Sequence, residues 1–532
     1  MLPRLSVGAD KVAVMARIVV IGSGMGAMAA AARLAVAGHR VVVYERGRAH
    51  GGGVGRFARD GFRFDTGPGL LHLPAVYRDL FVKTGKQTLE QSVELSQVDP
   101  ASRHLFTDGT DVRLPNASRA GVFQALDGAF GAGAGERWSD LVNRAREVWD
   151  ATRRPLLEEP LRADWRVLGR DPYPAAPVRR GRLGGLFGRG GADGPPTLAG
   201  VARRELKDPR AVALLESHAL AHGLDPRSAP AAATVLPYIE QTFGAWYVRG
   251  GMRALADALH ERCRQRKVEF HFDAQVTGIV EKDGRAAGVE LADGTVAEAD
   301  AVVSGIDPAL LPPLLGGQAP WREGDVRPEP GAGGGTPGRL TVLLALRGTR
   351  PADTAHRTVV HAPDRDAELA AVFGDGHGLR EPCPHPTVTV LRPDDPTVRP
   401  DEEHEAVTLT AVVAPHGPVD WTDGTAAEQD AQRLITAAEA AIPGLRDRML
   451  WHEVRTPADT EAETGARGGA VPGPVLAGAD GAFLRPANVT RLPGLYLAGG
   501  WAHPGGGLAH AGMSGALVAG LIVEGEDWRG SQ

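Results

Sequence analysis

Cysteine is scarce in this chain of 532 residues, with Cys263 and Cys383 the two present. That is too few for a disulfide framework or a cysteine metal site, and it suits a reducing compartment. The 17 histidines include no HExxH or paired-ligand spacing, so no metal is expected. Glu403-His404-Glu405 reads as a solvated acidic turn before a strand. No serine stands in a nucleophile elbow. No apolar run approaches the ~20 residues that a membrane span requires. Residues 1–14, with Arg4, Asp10 and Lys11, lack the continuous apolar core of a secretory signal, and Met15 is an alternative start. A net charge of −6 leaves no field strong enough to gather nucleic acid. Aromatic residues make up 5% of the chain. The accompanying surplus of Ala, Gly, Arg and Pro reads as base-composition bias with no functional content.

Glycine is abundant, at 70 residues, and two glycine patterns at opposite ends of the chain describe one dinucleotide site. The first follows the apolar run Arg17 to Ile21 as Gly22-Ser23-Gly24-Met25-Gly26-Ala27, then an alanine-rich stretch to Gly38 and a second apolar run ending Tyr44-Glu45. This is a strand, tight turn, helix, strand sequence. Gly22 permits the turn, Gly24 lets backbone approach a pyrophosphate, and Ala27 is small enough for helix-on-sheet packing. The helix N-terminus then faces the phosphates, and Glu45 is placed to accept a ribose hydroxyl. The length of the chain suggests two or more domains.

Beyond Glu45 come Gly51-Gly52-Gly53-Val54-Gly55-Arg56 and an Asp60-Gly61 hairpin signal between alternating apolar residues. Trp246 to Met252 opens a helix, followed by strand-like runs at Val268 to Phe270 and from Val276, with further hairpin signals at Asp283-Gly284 and Asp293-Gly294. The C-terminal pattern runs Gly494-Leu-Tyr-Leu497-Ala-Gly499-Gly500-Trp-Ala-His503-Pro504-Gly505-Gly506-Gly507 into a small-residue helix, preceded by Phe483-Leu-Arg485-Pro486-Ala-Asn488. With the double glycine and the Asp-Gly-Phe hairpin, these segments resemble the phytoene desaturase family of amine-oxidase-like flavoproteins over almost the full chain.

The resemblance implies an α/β fold: a Rossmann-type FAD-binding domain with a discontinuous α+β substrate domain built of a mixed sheet and a helical cap. The FAD-binding domain is expected from residues 15–95, 246–310 and 480–525, after an extension at 1–14. The substrate domain is expected from 96–245 and 311–479, with a flexible loop at 172–197. The cofactor the resemblance implies is FAD. Its expected contacts are Gly22, Ser23, Gly24, Met25, Gly26, Ala27, Glu45, Arg46, Gly51, Gly52, Arg56, Val276, Gly499, Gly500, His503, Pro504, Gly505, Gly506 and Gly507. The family places an arginine after the double glycine to hold the FAD phosphates; here Gly53 stands there and Arg56 is the nearby substitute. Gly500, where broader relatives carry an acidic residue, favours the desaturase branch over amine oxidases. His503, His510 and Arg249 are the acid–base candidates near the flavin, and none is assigned a catalytic role.

The implied reaction desaturates a lipophilic polyene such as phytoene, the oxidised flavin accepting a hydride while the second hydrogen leaves as a proton. Oxygen or a membrane quinone would take the electrons onward. The expected location is cytoplasmic, with peripheral contact at the membrane face. The basic and apolar residues from Val178 to Gly191 are one candidate for that contact, and a solvated loop is the competing reading. Isomerase, ketolase, saturase and other tailoring-oxidase activities share these motifs. An amine oxidase and a non-catalytic prenyl-lipid escort protein are the readings from further afield.

Overall fold

A computed structural model of the protein describes residues 15–174, 196–327, 336–374 and 382–530. The extension at 1–14 and the segment from Val178 to Gly191 lie outside the described residues.

The first apolar run forms β1 (Arg17–Ile21) and the second β2 (Arg40–Tyr44). With β9 (Glu269–His271), β13 (Ala301–Ser304) and β19 (Leu495–Leu497) they make a five-stranded parallel sheet in the order β19-β13-β1-β2-β9. Alternation along β1 decides what packs where. Ile18 and Val20 face the helix Met25–Val36, whereas Val19 and Ile21 face an antiparallel meander of β10 (Val276–Lys282), β11 (Arg285–Leu291) and β12 (Val296–Glu298). Both faces of the sheet are thus covered, as a parallel sheet requires.

The helix Met25–Val36 is buried on nearly every side, because the C-terminal helix Leu508–Glu524 crosses it at backbone distance. A Cβ placed on Gly515 would lie 2.4 Å from the Gly26 carbonyl oxygen and 2.7 Å from the Ala29 Cβ. The alanines of this stretch are therefore a packing requirement.

The Asp60-Gly61 turn joins β3 (Arg56–Arg59) to β4 (Phe62–Asp65), with positive φ at both turn residues. β5 (Leu95–Gln97) pairs with β8 (Trp246–Val248). A second, seven-stranded mixed sheet has the order β18-β14-β17-β16-β15-β6-β7. Its strands are β6 (Ser102–Leu105), β7 (Asp111–Leu114), β14 (Gly338–Arg347), β15 (Arg357–Val360), β16 (Val388–Leu391), β17 (His404–Val413) and β18 (Met449–Arg455). One face buries Leu340, Val342, Leu344, Val407 and Leu409 against the helix Gly424–Ala438. The opposite face meets Phe62 and Phe64 of the β3–β4 hairpin through Leu343 and Ala345. Helices Ala134–Arg153, Leu198–Leu206, Pro209–Ala221 and Val235–Phe243 form a cap with its own apolar core. The α/β fold, with its Rossmann core, mixed sheet and helical cap, is the architecture the resemblance implied.

One reading needs correction. Glu405 does not sit in a solvated turn: it is fully buried in β17 and paired with both Arg392, at 2.7 Å, and Arg448, at 2.9 Å. Two guanidiniums hold its carboxyl below the usual range against the opposing effect of burial. Those partners come from elsewhere in the chain and gave no local signal.

Candidate functional site

The site grows from the turn after β1. Gly22, at φ +83°, donates its N–H to the Tyr44 carbonyl at 2.8 Å and so ties the turn to the end of β2. Gly24 begins the helix with no side-chain cap, no acidic residue follows in the first turn, and nothing stands within 4 Å of where its Cβ would be. The first N–H groups of the helix thus meet open space, the arrangement that accepts an anion. Met25 and Ala27 are buried in this first turn. Gly26 packs on the other chain end, where an added Cβ would lie 2.6 Å from the Gly499 Cα.

Ser23 and Glu45 are locked together. The Ser23 N–H and hydroxyl donate to Glu45 Oε2 at 2.8 and 2.7 Å, and the Gly47 N–H donates to Oε1 at 2.8 Å. The carboxylate is thereby fixed at the end of β2. The double glycine closes on the same turn: Gly51 donates its N–H to the Ser23 carbonyl at 2.9 Å, and a Cβ on Gly52 would lie 3.0 Å from the Gly24 Cα. Their φ values of +109° and +57° explain why glycine stands at both places. The Ala274 N–H donates to the Glu45 carbonyl at 2.9 Å, which brings the chain past this corner just before Val276 starts β10. Arg46 donates to the Ala462 carbonyl at 2.9 Å. Arg56 turns toward the helix Met252–Gln265, where its guanidinium is 3.7 Å from Asp257.

At the C-terminal side, β19 delivers Gly499 and Gly500 beside the first turn. Asn488 and Ser514 organise this corner. Asn488 Nδ2 donates to the Leu497 carbonyl at 3.0 Å and the His503 carbonyl at 2.8 Å. The Ser514 hydroxyl also donates to the His503 carbonyl and accepts the Gly499 N–H at 3.0 Å. Pro504 and Gly505 are buried, and the Gly506 N–H donates to the Gly473 carbonyl at 2.9 Å. Gly507 then starts the C-terminal helix. A Cβ on Gly506 would sit 1.7 Å from the Pro472 carbonyl oxygen, so no other residue fits.

His503 is fully buried, its Nε2 lies 2.9 Å from the Glu159 carbonyl, and burial pushes its pKa down to about 4. His510 is pushed down to about 4 by the same cause. Both are neutral at physiological pH. Arg249 is tied to Glu94 at 3.2 Å.

Several contributors carried no local signal. Arg253 reaches back from the helix Met252–Gln265 to donate to the His50 carbonyl at 2.6 Å and so supports the glycine loop. Asp65 accepts from the Met252 N–H at 2.7 Å and the Arg253 N–H at 3.1 Å, fixing that helix start. Arg485 lies over the Trp501 ring at 5.7 Å, has no hydrogen bond or ion pair among the described residues, and keeps a buried Nε without a partner.

These features fit an FAD. A helix start lacks its cap, glycines clear the approach to it, a carboxylate is fixed at the strand end, and a guanidinium without a partner lies near the C-terminal glycines. An anion that binds there would relieve two sets of unmet donors. Beyond the C-terminal helix start lies a partly open pocket lined by Trp149, Arg153, Leu236, Ile239, Val475 and His510 among others. Among the described residues no group of three or more His, Cys, Asp or Glu is placed to hold a metal ion. No described helix is long and apolar enough to cross a membrane.

Comparison with known proteins agrees with this geometry. Residues 28–324 match the family described as flavin containing amine oxidoreductase, and residues 195–521 match FAD dependent oxidoreductase. A 4,4'-diapolycopene oxygenase from a Methylomonas species is 30% identical over 95% of this chain and 98% of its own. A hydroxyneurosporene desaturase from Rhodobacter capsulatus is 29% identical over 95% and 97%. The fold is that of an oxidoreductase from Methanosarcina mazei, with a TM-score of 0.61 at 17% identity over 94% of this chain and 99% of that one. The chain belongs to the flavin containing amine oxidoreductase family. Within it, this protein is an FAD-dependent oxidoreductase of the carotenoid-desaturase-like group.

Proposed function

We propose that this enzyme oxidises a lipophilic polyene of the carotenoid type by desaturation, in the cavity between the helical cap and the start of the C-terminal helix. The observation that carries the reading is that pocket: it adjoins the His503 to Gly507 loop, and apart from Thr152, Arg153 and His510 its lining is apolar and holds no carboxylate. We place the FAD-binding domain at 15–95, 246–310 and 480–525 and the substrate domain at 96–245 and 311–479. The cofactor would be held by the turn Gly22 to Ala27, by Glu45 on the ribose, by the loops at Gly51-Gly52 and Gly499-Gly500, and by His503 to Gly507. Val276 would meet the adenine through its backbone. Arg46 and Arg56 would serve as flanking cations, and Arg485 takes the place of the arginine that Gly53 lacks. FAD, when bound, supplies a two-electron acceptor beside the cavity.

The chain's own residues orient the substrate and exclude water. Trp149, Leu236 and Ile239 grip an extended hydrocarbon, and the substrate's own apolar bulk keeps water from charge developing on the conjugated chain. His503 and His510, neutral by burial, lack the imidazolium proton that a general acid would give up. Conjugation in the substrate lessens the need for an acid or base, which suits a cavity lined without a carboxylate. Oxygen or a membrane quinone takes the electrons onward, and the lipid-soluble substrate is reached by peripheral contact with the membrane.

A second reading, insertion of oxygen at a polyene end, is supported by the similarity to the diapolycopene oxygenase. Product mass separates the two. Incubation of the FAD-loaded protein in liposomes with phytoene and with a fully conjugated acyclic polyene, followed by mass spectrometry, should show loss of hydrogen pairs from phytoene. Oxygen gain on the conjugated substrate, with phytoene unchanged, would replace desaturation by oxygenation.

A further inference from the structure

The sheet face turned toward the cap is partly polar. Strand register sets Thr341, Thr410 and Thr389 side by side across β14, β17 and β16, with Thr408 on the next row beside Leu343 and Leu391. All four threonines keep some accessible surface although they lie in interior strands. Two cap helices span this floor at separate points. Arg339, on the same face as Thr341, donates to the Ala221 carbonyl at the end of helix Pro209–Ala221. Arg357, on the same face as Leu391, pairs with Glu240 of helix Val235–Phe243. The threonine rows lie between these two anchors.

The roof over this floor is polar as well. His72 Nε2 and His218 Nε2 each lie 3.9 Å from a Glu240 oxygen. His72 Nδ1 is 3.4 Å from the Gly244 carbonyl, and His222 follows His218 by one helical turn. His104 of β6 and His361, just beyond β15, share a 2.9 Å hydrogen bond. His72, His218, His222, Glu240 and Arg357 all retain accessible surface within the interior. Burial lowers the pKa of His72 and His218 and takes His222 to about 4, so each imidazole is neutral and both donates and accepts. Burial would raise Glu240, but the paired Arg357 guanidinium opposes it and keeps the carboxylate charged.

These polar groups neighbour the apolar pocket along the chain at two points. Leu236 and Ile239 line the cavity, and Glu240 follows on the same helix. A Cβ on Gly473 would lie 3.0 Å from the His222 carbonyl oxygen, and the next residue, Pro474, lines the cavity. A hydrocarbon end reaching this far would press against hydroxyls, imidazoles and an ion pair without satisfying any of them. We propose that the chamber receives an oxygen-bearing end of the polyene, a hydroxyl or carbonyl group, with His72, His218 and the Glu240–Arg357 pair as the recognition groups. The inference rests on the polyene reading above and names the substrate class within it.

The test pairs neurosporene with hydroxyneurosporene, which share a conjugated chain and differ in terminal oxygenation, using the full-length FAD-loaded protein in liposomes. Binding is followed by tryptophan quenching, since Trp149 lines the cavity, and turnover by the polyene spectrum. The hydroxylated compound should bind about 10- to 100-fold more tightly and show a matching gain in kcat/KM. His218→Phe and His72→Phe, checked for retained FAD absorbance, should narrow that ratio to below about 3-fold. If the variants do not fold, the wild-type ratio decides alone. A wild-type ratio near one, or a preference for the hydrocarbon, overturns the oxygenated-end inference and leaves polyene oxidation standing. If neither compound binds or reacts, the polyene reading falls and this inference falls with it.

Discussion

Arg485 illustrates how the residue scale works here. A guanidinium that has no acceptor, and whose Nε is buried, is destabilising unless a ligand supplies the missing charge. Burial already pulls its pKa down, with Asp307 opposing that shift. Replacing Arg485 by Ala is expected to weaken FAD binding by about 10- to 100-fold, the range for a charge-assisted hydrogen bond. Titration of the apoprotein by flavin fluorescence measures this. Arg56→Ala should cost less than threefold, because Arg56 already faces Asp257. Equal losses from the two variants would return the phosphate role to Arg56. The glycines and Glu45 were legible in the sequence because a turn, a helix start and a strand end are local events. Arg485 was legible as part of a family-like stretch and its role was not, since Trp501 reaches it only through the fold. Glu405 was misread for the same reason, its arginines lying 13 and 43 residues away.

Among elements, the crossing of the helices Met25–Val36 and Leu508–Glu524 joins the two chain ends that build the site. Gly26, Gly515 and the alanine run let the backbones touch, which longer side chains would prevent. Gly515→Val should lower stability by about 3 kcal/mol or more, at the upper end of overpacking costs, and release FAD as the crossing opens. Denaturant melts monitored by flavin fluorescence would show both effects together. Loss of stability with FAD retained would mean that the crossing does not hold the cofactor loops. Hairpins at Asp60-Gly61 and Asp283-Gly284 were readable from the chain, since the turn residues adopt positive φ where Asp-Gly predicts it. The polar chamber was not readable. Which face of β14 or β17 turns to the cap depends on the register of strands whose paired residues lie 57 to 75 positions apart.

For the whole molecule, buried histidines set the response to acid. Burial lowers His50, His222, His503 and His510 to about 4, and His356 and His361 to about 3. Each is depressed below its unfolded value of about 6.5, so between those values the unfolded chain binds more protons and stability rises with pH. The protein should keep full stability from these groups above pH 6.5 and lose it progressively as pH falls toward 4. Asp65 and Glu216, pushed up by burial to about 6 and about 7, act in the opposite sense but are outnumbered. Thermal melts from pH 8 to pH 4 check the direction; a Tm that rises as pH falls would contradict it. Removing FAD should lower stability by about 2.7 kcal/mol relative to protein held at 100 times the dissociation constant, visible as a fall in Tm. That the two chain ends share one sheet was legible from the separated glycine patterns, while the pocket between the cap and the C-terminal helix required the tertiary fold.

The central claim is that a flavin bound by the two glycine ends oxidises a polyene in the adjoining cavity. Its most direct test is anaerobic mixing of FAD-loaded protein in liposomes with phytoene, recording flavin absorbance and the polyene spectrum together. Loss of the oxidised flavin band in step with new long-wavelength polyene bands is the predicted result. Bound flavin that stays oxidised with phytoene and with every acyclic polyene tried would contradict the account.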